Sequence, residues 1–376
     1  MRVAVALSTE EDGIVAVQEA AQAARADVPQ PVAALAWATG HHNPRLVSLR
    51  RALVEALGTR VIAGCVSAGI TVGDQEVVGQ PGLGLMVFSG PAERFEARLA
   101  HRLFDNPEAS AVALLAGTGP DDLVVLMPTA NHFKADPFLA EAARVAPDTL
   151  VVGGGATNPR GRDRVFDGDA VATDAAVALV IRGCRPRVGL TQSCGVISPV
   201  LTVTRCRGRA VFELDGAPAV SALAEVVQRI AGDQPDVRGV MAGLVAEPDG
   251  AGRRAFLVRP VAGVDWEKGT LDLGVEVDPG QQVVFVRRDV EQSRSDLNAM
   301  LLEHRALQQR PPAFGLWINC AGRGPAFQGM PDYDPAVIRG YLEGLPLGGF
   351  FGGFELAPLA GRTALHLFSG VLATGT

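Results

Sequence analysis

Short apolar runs alternate with polar loops marked by glycine and proline, and one arrangement of them recurs. Residues 2–7 read as a first strand, and Ser8 with Glu11 has capping-box spacing for a helix over 10–25. The first copy of the recurring pattern begins with a strand over 32–38 and the loop Thr39-Gly40-His41-His42. Asn43-Pro44 supplies an N-cap and a first-turn proline for a helix with Leu46, Leu49, Leu53 and Leu57 at helical spacing, stopped by Gly58. A strand over 60–63 runs into Gly64-Cys65-Val66-Ser67-Ala68-Gly69.

The second copy has a strand over 123–127, a loop through Asn131-His132 and an Asp136-Pro137 cap. Its helix and second strand lead into Gly153-Gly154-Gly155-Ala156-Thr157-Asn158. The third has a strand over 314–318 and a long loop opening with Asn319-Cys320-Ala321-Gly322-Arg323-Gly324. An Asp334-Pro335 cap, a helix and a short strand follow, ending in Gly348-Gly349-Phe350-Phe351-Gly352-Gly353. Each copy is a strand-loop-helix-strand unit, so an internal repeat of right-handed βαβ crossovers is expected. In such a unit both loop and glycine end lie at the strand C-termini, the edge where ligands settle.

Between the copies, a helix is expected over 89–104 with Phe95, Leu99 and Leu103 on one face, so that His101 is helical, followed by an apolar run at 112–115. Residues 191–214 read as extended with a hairpin near Gly208, then a helix over 218–231. A break follows at Gly232-Asp233-Gln234-Pro235, and a polar turn over 247–254 separates two strands. Asp289 caps a helix that reaches about residue 309. The boundary falls near Gly183-Cys184-Arg185-Pro186, giving domains 1–187 and 188–376. The fold class is α/β: two related domains with mixed sheets flanked by helices, with stacked α-β-β-α layers the preferred picture.

Composition narrows the function. The 376 residues are 48% hydrophobic and 20% charged, with a net charge of −7. That composition has core to spare, and no Lys/Arg cluster with interleaved aromatics supports nucleic-acid binding. Five scattered cysteines form neither a disulfide framework nor a zinc spacing, so no metal is expected. No apolar stretch reaches the ~18 residues of a membrane span, and the N-terminus reads as a strand rather than a signal peptide. A cytoplasmic protein with reduced thiols is expected.

The candidate chemistry gathers at the loop ends. Cys320 is a candidate reactive or ligand-contacting thiol, with Arg323 placed to stabilise a thiolate; a small buried strand-end residue is the plainer reading. Arg323 and Arg259 offer planar forks for a ligand carboxylate, against structural salt bridges. Asn319, Cys65, Ser67, His132, Thr157 and Asn158 share the same edge of the repeats and complete the candidate ligand set. His304 and His366 read as packing residues.

The ordered set VIAGCVSAGI, LVVGGGATN, TQSCGVISPVLTVTR, FELDGAPAVSAL, FLVRPVAGVDWEKGTLDLG, INCAGRG and LPLGGFFGGFELAPLAGRTALHLFSG resembles the FIST family, and covers nearly the whole chain. The resemblance implies a stand-alone member with FIST N-terminal and C-terminal domains. It implies an intracellular sensor of a small ligand such as an amino acid. The preferred function is binding of a small carboxylate-bearing metabolite at a cleft near the inter-domain face, with domain movement on binding and a signalling protein partner to read it. Two alternatives stand beside it. One is a cysteine-dependent enzyme using Cys320. The other is a haem-based gas sensor, which the family includes; no attachment motif is present, and no cofactor is expected.

Overall fold

A computed structural model describes residues 1–231, 239–246, 256–308 and 310–376. The expected break at 232–235 and polar turn at 247–254 lie outside the described residues. The chain forms two compact units. The first comprises Met1–Thr191, Leu297–Leu365 and Ser369–Thr376, and the second Gln192–Asp296 with His366–Phe368.

The first unit is assembled from three stretches of the same plan. One contains β1 (Val3–Ser8), α1 (Gly13–Asp27), β2 (Ala33–Thr39), α2 (Leu46–Leu57), β3 (Ile62–Ser67), the hairpin β4 (Gly69–Val72) and β5 (Gln75–Val78), and β6 (Leu83–Phe88). The next contains β7 (Phe95–His101), α3 (Pro107–Leu115), β8 (Leu123–Pro128), α4 (Ala135–Val145), β9 (Leu150–Gly154), the hairpin β10 (Val165–Asp167) and β11 (Val171–Ala172), and β12 (Ala175–Ile181). The last starts with β13 (Arg187–Gln192). After the second unit, with its helix α5 (Ala219–Ala231), it resumes through α6 (Val290–Ala306), β14 (Phe314–Cys320), α7 (Pro325–Gln328) and α8 (Tyr333–Tyr341). It ends with β15 (Leu347–Gly352), the hairpin β16 (Glu355–Leu359) and β17 (Arg362–His366), and β18 (Ser369–Gly375).

Three six-stranded sheets result, with orders β1-β6-β2-β3-β10-β11, β7-β12-β8-β9-β16-β17 and β13-β18-β14-β15-β4-β5. The central pairs β2–β3, β8–β9 and β14–β15 are parallel, as βαβ crossovers require. Each stretch gives its hairpin to another sheet. The first donates β4–β5 to the third sheet, the second donates β10–β11 to the first, and the third donates β16–β17 to the second. This cyclic exchange covers the edge strand of every parallel pair, which would otherwise present unpaired amides.

The strands are apolar on both faces because both faces are covered. Inward, Leu35, Trp37 and Met86 meet Val125, Val177 and Leu179 and also Leu316, Ile318 and Phe350 in one core. Phe88 of the first sheet touches Phe95 of the second and Phe314 of the third, with ring centroids 5.4 and 5.6 Å away. Outward, α1 and α2 lay Val17, Leu49 and Leu53 on the first sheet. Helix α3 lies against β7 and β12, and α6 and α8 cover the third sheet through Leu297, Leu301 and Ile338. Each such leucine contributes roughly 1.5–3 kcal/mol by leaving water. The expected α-β-β-α layering is thus extended by a third sheet with helices of its own.

Several local expectations change. The helix over 89–104 is the strand β7 instead, paired with β12 from Phe95↔Ile181 to His101↔Ala175, so His101 lies on a strand. The Phe95/Leu99/Leu103 spacing concealed a period of two: Phe95, Ala97 and Leu99 face the core while Glu96 and Arg98 pair at 2.7 Å on the other face. The run at 112–115 belongs to α3. Helix α1 is capped by Asp12, which accepts from the Ile14 and Val15 amides, and Ser8 bonds Glu19 instead. The Asx-Pro pairs are not side-chain caps either. Asn43-Pro44 lies in a 3-10 turn ahead of α2, and Asp136 and Asp334 sit in first helical turns.

The second unit is in the main one insertion, running from the last residue of β13 into the first turns of α6, with His366–Phe368 added from the turn before β18. It holds a nine-stranded sheet whose hairpin Leu201–Arg207 with Ala210–Leu214 turns at Gly208 in the left-handed region. On one face, Leu223, Val226 and Val227 of α5 pack on Val203, Val211 and Phe285.

Candidate functional site

The three sheets can be superposed by register alone. Gly64, Gly153 and Gly349 face Ala36, Leu126 and Trp317 across the parallel pairs. At Gly153 and Gly349 the approach is so close that a Cβ would lie 1.8 Å from the facing carbonyl oxygen. Three residues on, Thr39 faces Ser67, Thr129 faces Ala156 and Cys320 faces Gly352. Cys320 is therefore the counterpart of two threonines. Thr39 Oγ1 donates to the Gln80 carbonyl at 2.9 Å and Thr129 Oγ1 to the Ala175 carbonyl at 3.1 Å.

The donated hairpins extend the comparison. One residue after each of those glycines, Cys65 faces Val165, Gly154 faces Glu355 and Phe350 faces Ile70. Two of these positions carry core aliphatics and the third a fully buried glutamate. A buried carboxyl is costly unless neutral or bonded. Glu355 Oε2 accepts from the Ser369 amide at 3.1 Å and from its hydroxyl at 2.6 Å. Burial pushes the Glu355 carboxyl well above the usual carboxylate range. The Ser369 bonds, the Cys320 thiol bonded to it and the nearby Arg323 charge oppose that shift. Glu355 Oε1 is buried with no hydrogen-bond partner among the described residues.

A second group of polar side chains adjoins the first through Arg323, which is fully buried. Its Nη2 donates to Asp334 Oδ2 at 3.1 Å, and the guanidinium stands 5.8 Å from the Trp317 ring. Asp334, also fully buried, accepts from Asn319 Nδ2 on Oδ2 and from Gln328 Nε2 on Oδ1, both at 3.0 Å. Asn319 Oδ1 is buried and has no partner among the described residues. Glu76 of the donated strand β5 completes the group: its amide donates to Asp332 Oδ1 at 2.6 Å. Burial, then Asp334 and Asp332, push its carboxyl up to about 8, against the pull of Arg323.

Asn319, Cys320 and Arg323 thus come together as expected from their spacing. The other expected residues are placed elsewhere. Cys65 packs in the apolar core, where burial drives its thiol far up. Ser67 Oγ donates to the Gly69 carbonyl at 2.8 Å. Asn158 belongs to a loop organised by Asp163, which accepts from the Asn158 amide at 2.9 Å and from Asn131 Nδ2 at 2.7 Å, next to His132. Thr157 lies beside Gly353, where a Cβ would stand 3.4 Å from the threonine Cβ. Arg259 is in the second unit, on the strand Phe256–Pro260, and donates to the Val258 carbonyl at 2.8 Å.

Glu355, Asp334, Glu76, Gln328 and Ser369 were not anticipated. Glu355 did carry a signal, as the one acid in the apolar run 345–360. Asp334 was masked by its resemblance to a helix cap. Glu76 could not be found from spacing, because a hairpin exchanged between sheets brings it there.

An α/β protein of three hairpin-exchanging sheets with a long β-rich insertion is the class that this architecture defines. Its sequence matches the FIST N domain over residues 32–217 and the FIST C domain over 219–358, and the chain belongs to the FIST family. It is 32% identical over 386 residues to the uncharacterized protein Rv0628c of Mycobacterium tuberculosis, covering 99% of each chain. To the uncharacterized protein Mb0898c of Mycobacterium bovis it is 30% identical over 388 residues, covering 99% of this chain and 98% of that one. Among solved structures, a cyanuric acid hydrolase from A. caulinodans matches 48% of this chain and 71% of its own at 12% identity, with a TM-score of 0.23. That likeness is too loose to inform fold or chemistry.

Proposed function

We propose that this FIST protein is a cytoplasmic sensory protein that binds a small carboxylate-bearing metabolite, an amino acid being the type, beside Arg323 and Glu355. FIST domains are associated with small-ligand sensing in signal transduction. Among the described residues no helix is long and apolar enough to cross a membrane. The observation that carries the reading is the buried polar group at the end of β14, where the two sister sheets carry apolar residues at the Glu355 position. Native sequences break the local rule most often where function requires it.

The chemistry suits a zwitterion. Glu355 Oε1 and Asn319 Oδ1 are buried acceptors that an ammonium would satisfy. Arg323 supplies the cation for a carboxylate, in competition with Asp334. An ammonium beside Glu355 would favour its ionised form, so binding would release a proton near neutral pH. Sensing then requires that the ligand bind one conformational state more tightly than another, which a signalling partner reads.

The rival use of Cys320 as a nucleophile is less well supported. A thiolate needs a positive neighbour or a base. The Cys320 thiol instead bonds a carboxyl, and the Arg323 guanidinium is already paired.

A thermal-shift screen against amino acids and small organic acids tests the proposal. A ligand at 100 times its Kd should add about 2.7 kcal/mol. Glu355→Gln should abolish the shift while Cys320→Ser retains it. A screen in which no compound stabilises the wild-type chain would count against the metabolite reading.

A further inference from the structure

At the other end of β14, about 20 Å along the strand from Cys320, two cavities adjoin. One of about 460 Å³ lies between the end of α6 and the turn after α8, with Arg305 and Glu343 in its wall. The other, about 240 Å³, is lined by Arg185, Arg187 and Thr374. Arg310 and Gln308 line both. Among the described residues, four arginines and one acidic side chain therefore line a continuous cleft, whose wall also includes Thr376, in a chain whose net charge is −7.

None of the four is ion-paired with a carboxylate among the described residues. By contrast, Arg182 near the start of the same segment engages both Glu96 and Asp122. Arg185 is held at a φ of 47°, a left-handed backbone that non-glycine residues seldom adopt. Such conformations persist where the surroundings fix them, and they gather at binding sites. Thr374 is fixed as well, by a 2.9 Å bond to the buried His304.

We propose that this cleft is a second ligand site, separate from the one at Glu355, and that it binds a small polyanion carrying phosphoryl groups. The cavities together have the size of a small-molecule pocket. Arginine forks match phosphoryl oxygens two at a time, and four cations exceed what a single carboxylate would neutralise. Arg187 and Arg310 are the central pair, since Arg310 faces both cavities and Arg187 starts the strand β13 that fixes the floor.

Isothermal titration of the full chain with pyrophosphate at about 0.15 M salt tests the assignment, with citrate as the comparison anion. Saturable one-to-one binding of pyrophosphate, tighter than that of citrate, is expected. The double variant Arg187→Gln, Arg310→Gln should weaken it tenfold or more. Arg310 is exposed and Arg187 half-buried, and neither is ion-paired among the described residues, so the variant's unliganded Tm should lie close to that of the wild type, and Glu355→Gln should leave pyrophosphate binding intact. Absence of saturable binding, equal binding by the double variant, or citrate binding as tightly as pyrophosphate would overturn the proposal.

Discussion

Glu355 occupies the register position that Val165 holds in the first sheet: each lies on a donated hairpin, opposite the residue that follows a glycine of the parallel pair. The same plan therefore places an aliphatic side chain in one sheet and a buried acid in another. The difference is chemical and not architectural, which makes the site testable without disturbing the frame.

The pH dependence of stability follows from the two raised carboxyls. Glu76 titrates near 8 in the folded chain against an ordinary value of 4.5, and Glu355 is raised in the same direction. Between those values the folded state holds protons that the unfolded state has lost. Their stabilising contribution is therefore complete below about 4.5 and is lost as pH rises through about 8. The slope is at most about 1.4 kcal/mol per pH unit for each group. Urea unfolding of Glu76→Gln and Glu355→Gln from pH 5 to 8.5 should show a flatter profile than the wild type; parallel profiles would refute the assignment.

Asp334→Ala should be among the costliest single changes at the site. It removes the partner of a fully buried arginine and the acceptor used by Asn319 and Gln328. A loss of about 3–5 kcal/mol in denaturant unfolding is expected for an uncompensated buried charge. A loss below about 1 kcal/mol would mean that water reaches Arg323.

Gly349→Ala tests the close approach of β15 to β14. Its Cβ would lie 1.8 Å from the Trp317 carbonyl oxygen, and neither backbone can yield without breaking the ladder. A destabilisation of at least about 2 kcal/mol is expected, whereas Gly340→Ala, where a Cβ meets nothing within 4 Å, should be neutral or stabilising.

Thiol labelling separates a buried Cys320 from a reactive one. Cys206 is part-exposed, while Cys65, Cys184, Cys194 and Cys320 are buried. In the native chain a disulfide reagent should modify one thiol quickly, and Cys206→Ser should remove that phase. Fast native labelling of Cys320 would revive the nucleophile reading.

The sequence by itself determined the parallel pairs. Continuous apolar runs followed by helical spacing and a glycine end leave few alternatives to a βαβ crossover, and β2–β3, β8–β9 and β14–β15 are those runs. It also placed Asn319, Cys320 and Arg323 together, since five residues cannot travel far. It misread 89–104, where one stretch satisfied both a period of two and a spacing of four, and pairing with β12 decided between them. It could not foresee that Glu76 and Glu355 would reach β14 on exchanged hairpins, because strand partnership depends on edges that exist only once the sheets have formed. The tertiary structure decided the chemistry for the same reason. Burial fixes the protonation of Glu355 and Glu76, and burial is a property of the packed sheets, not of any segment within them.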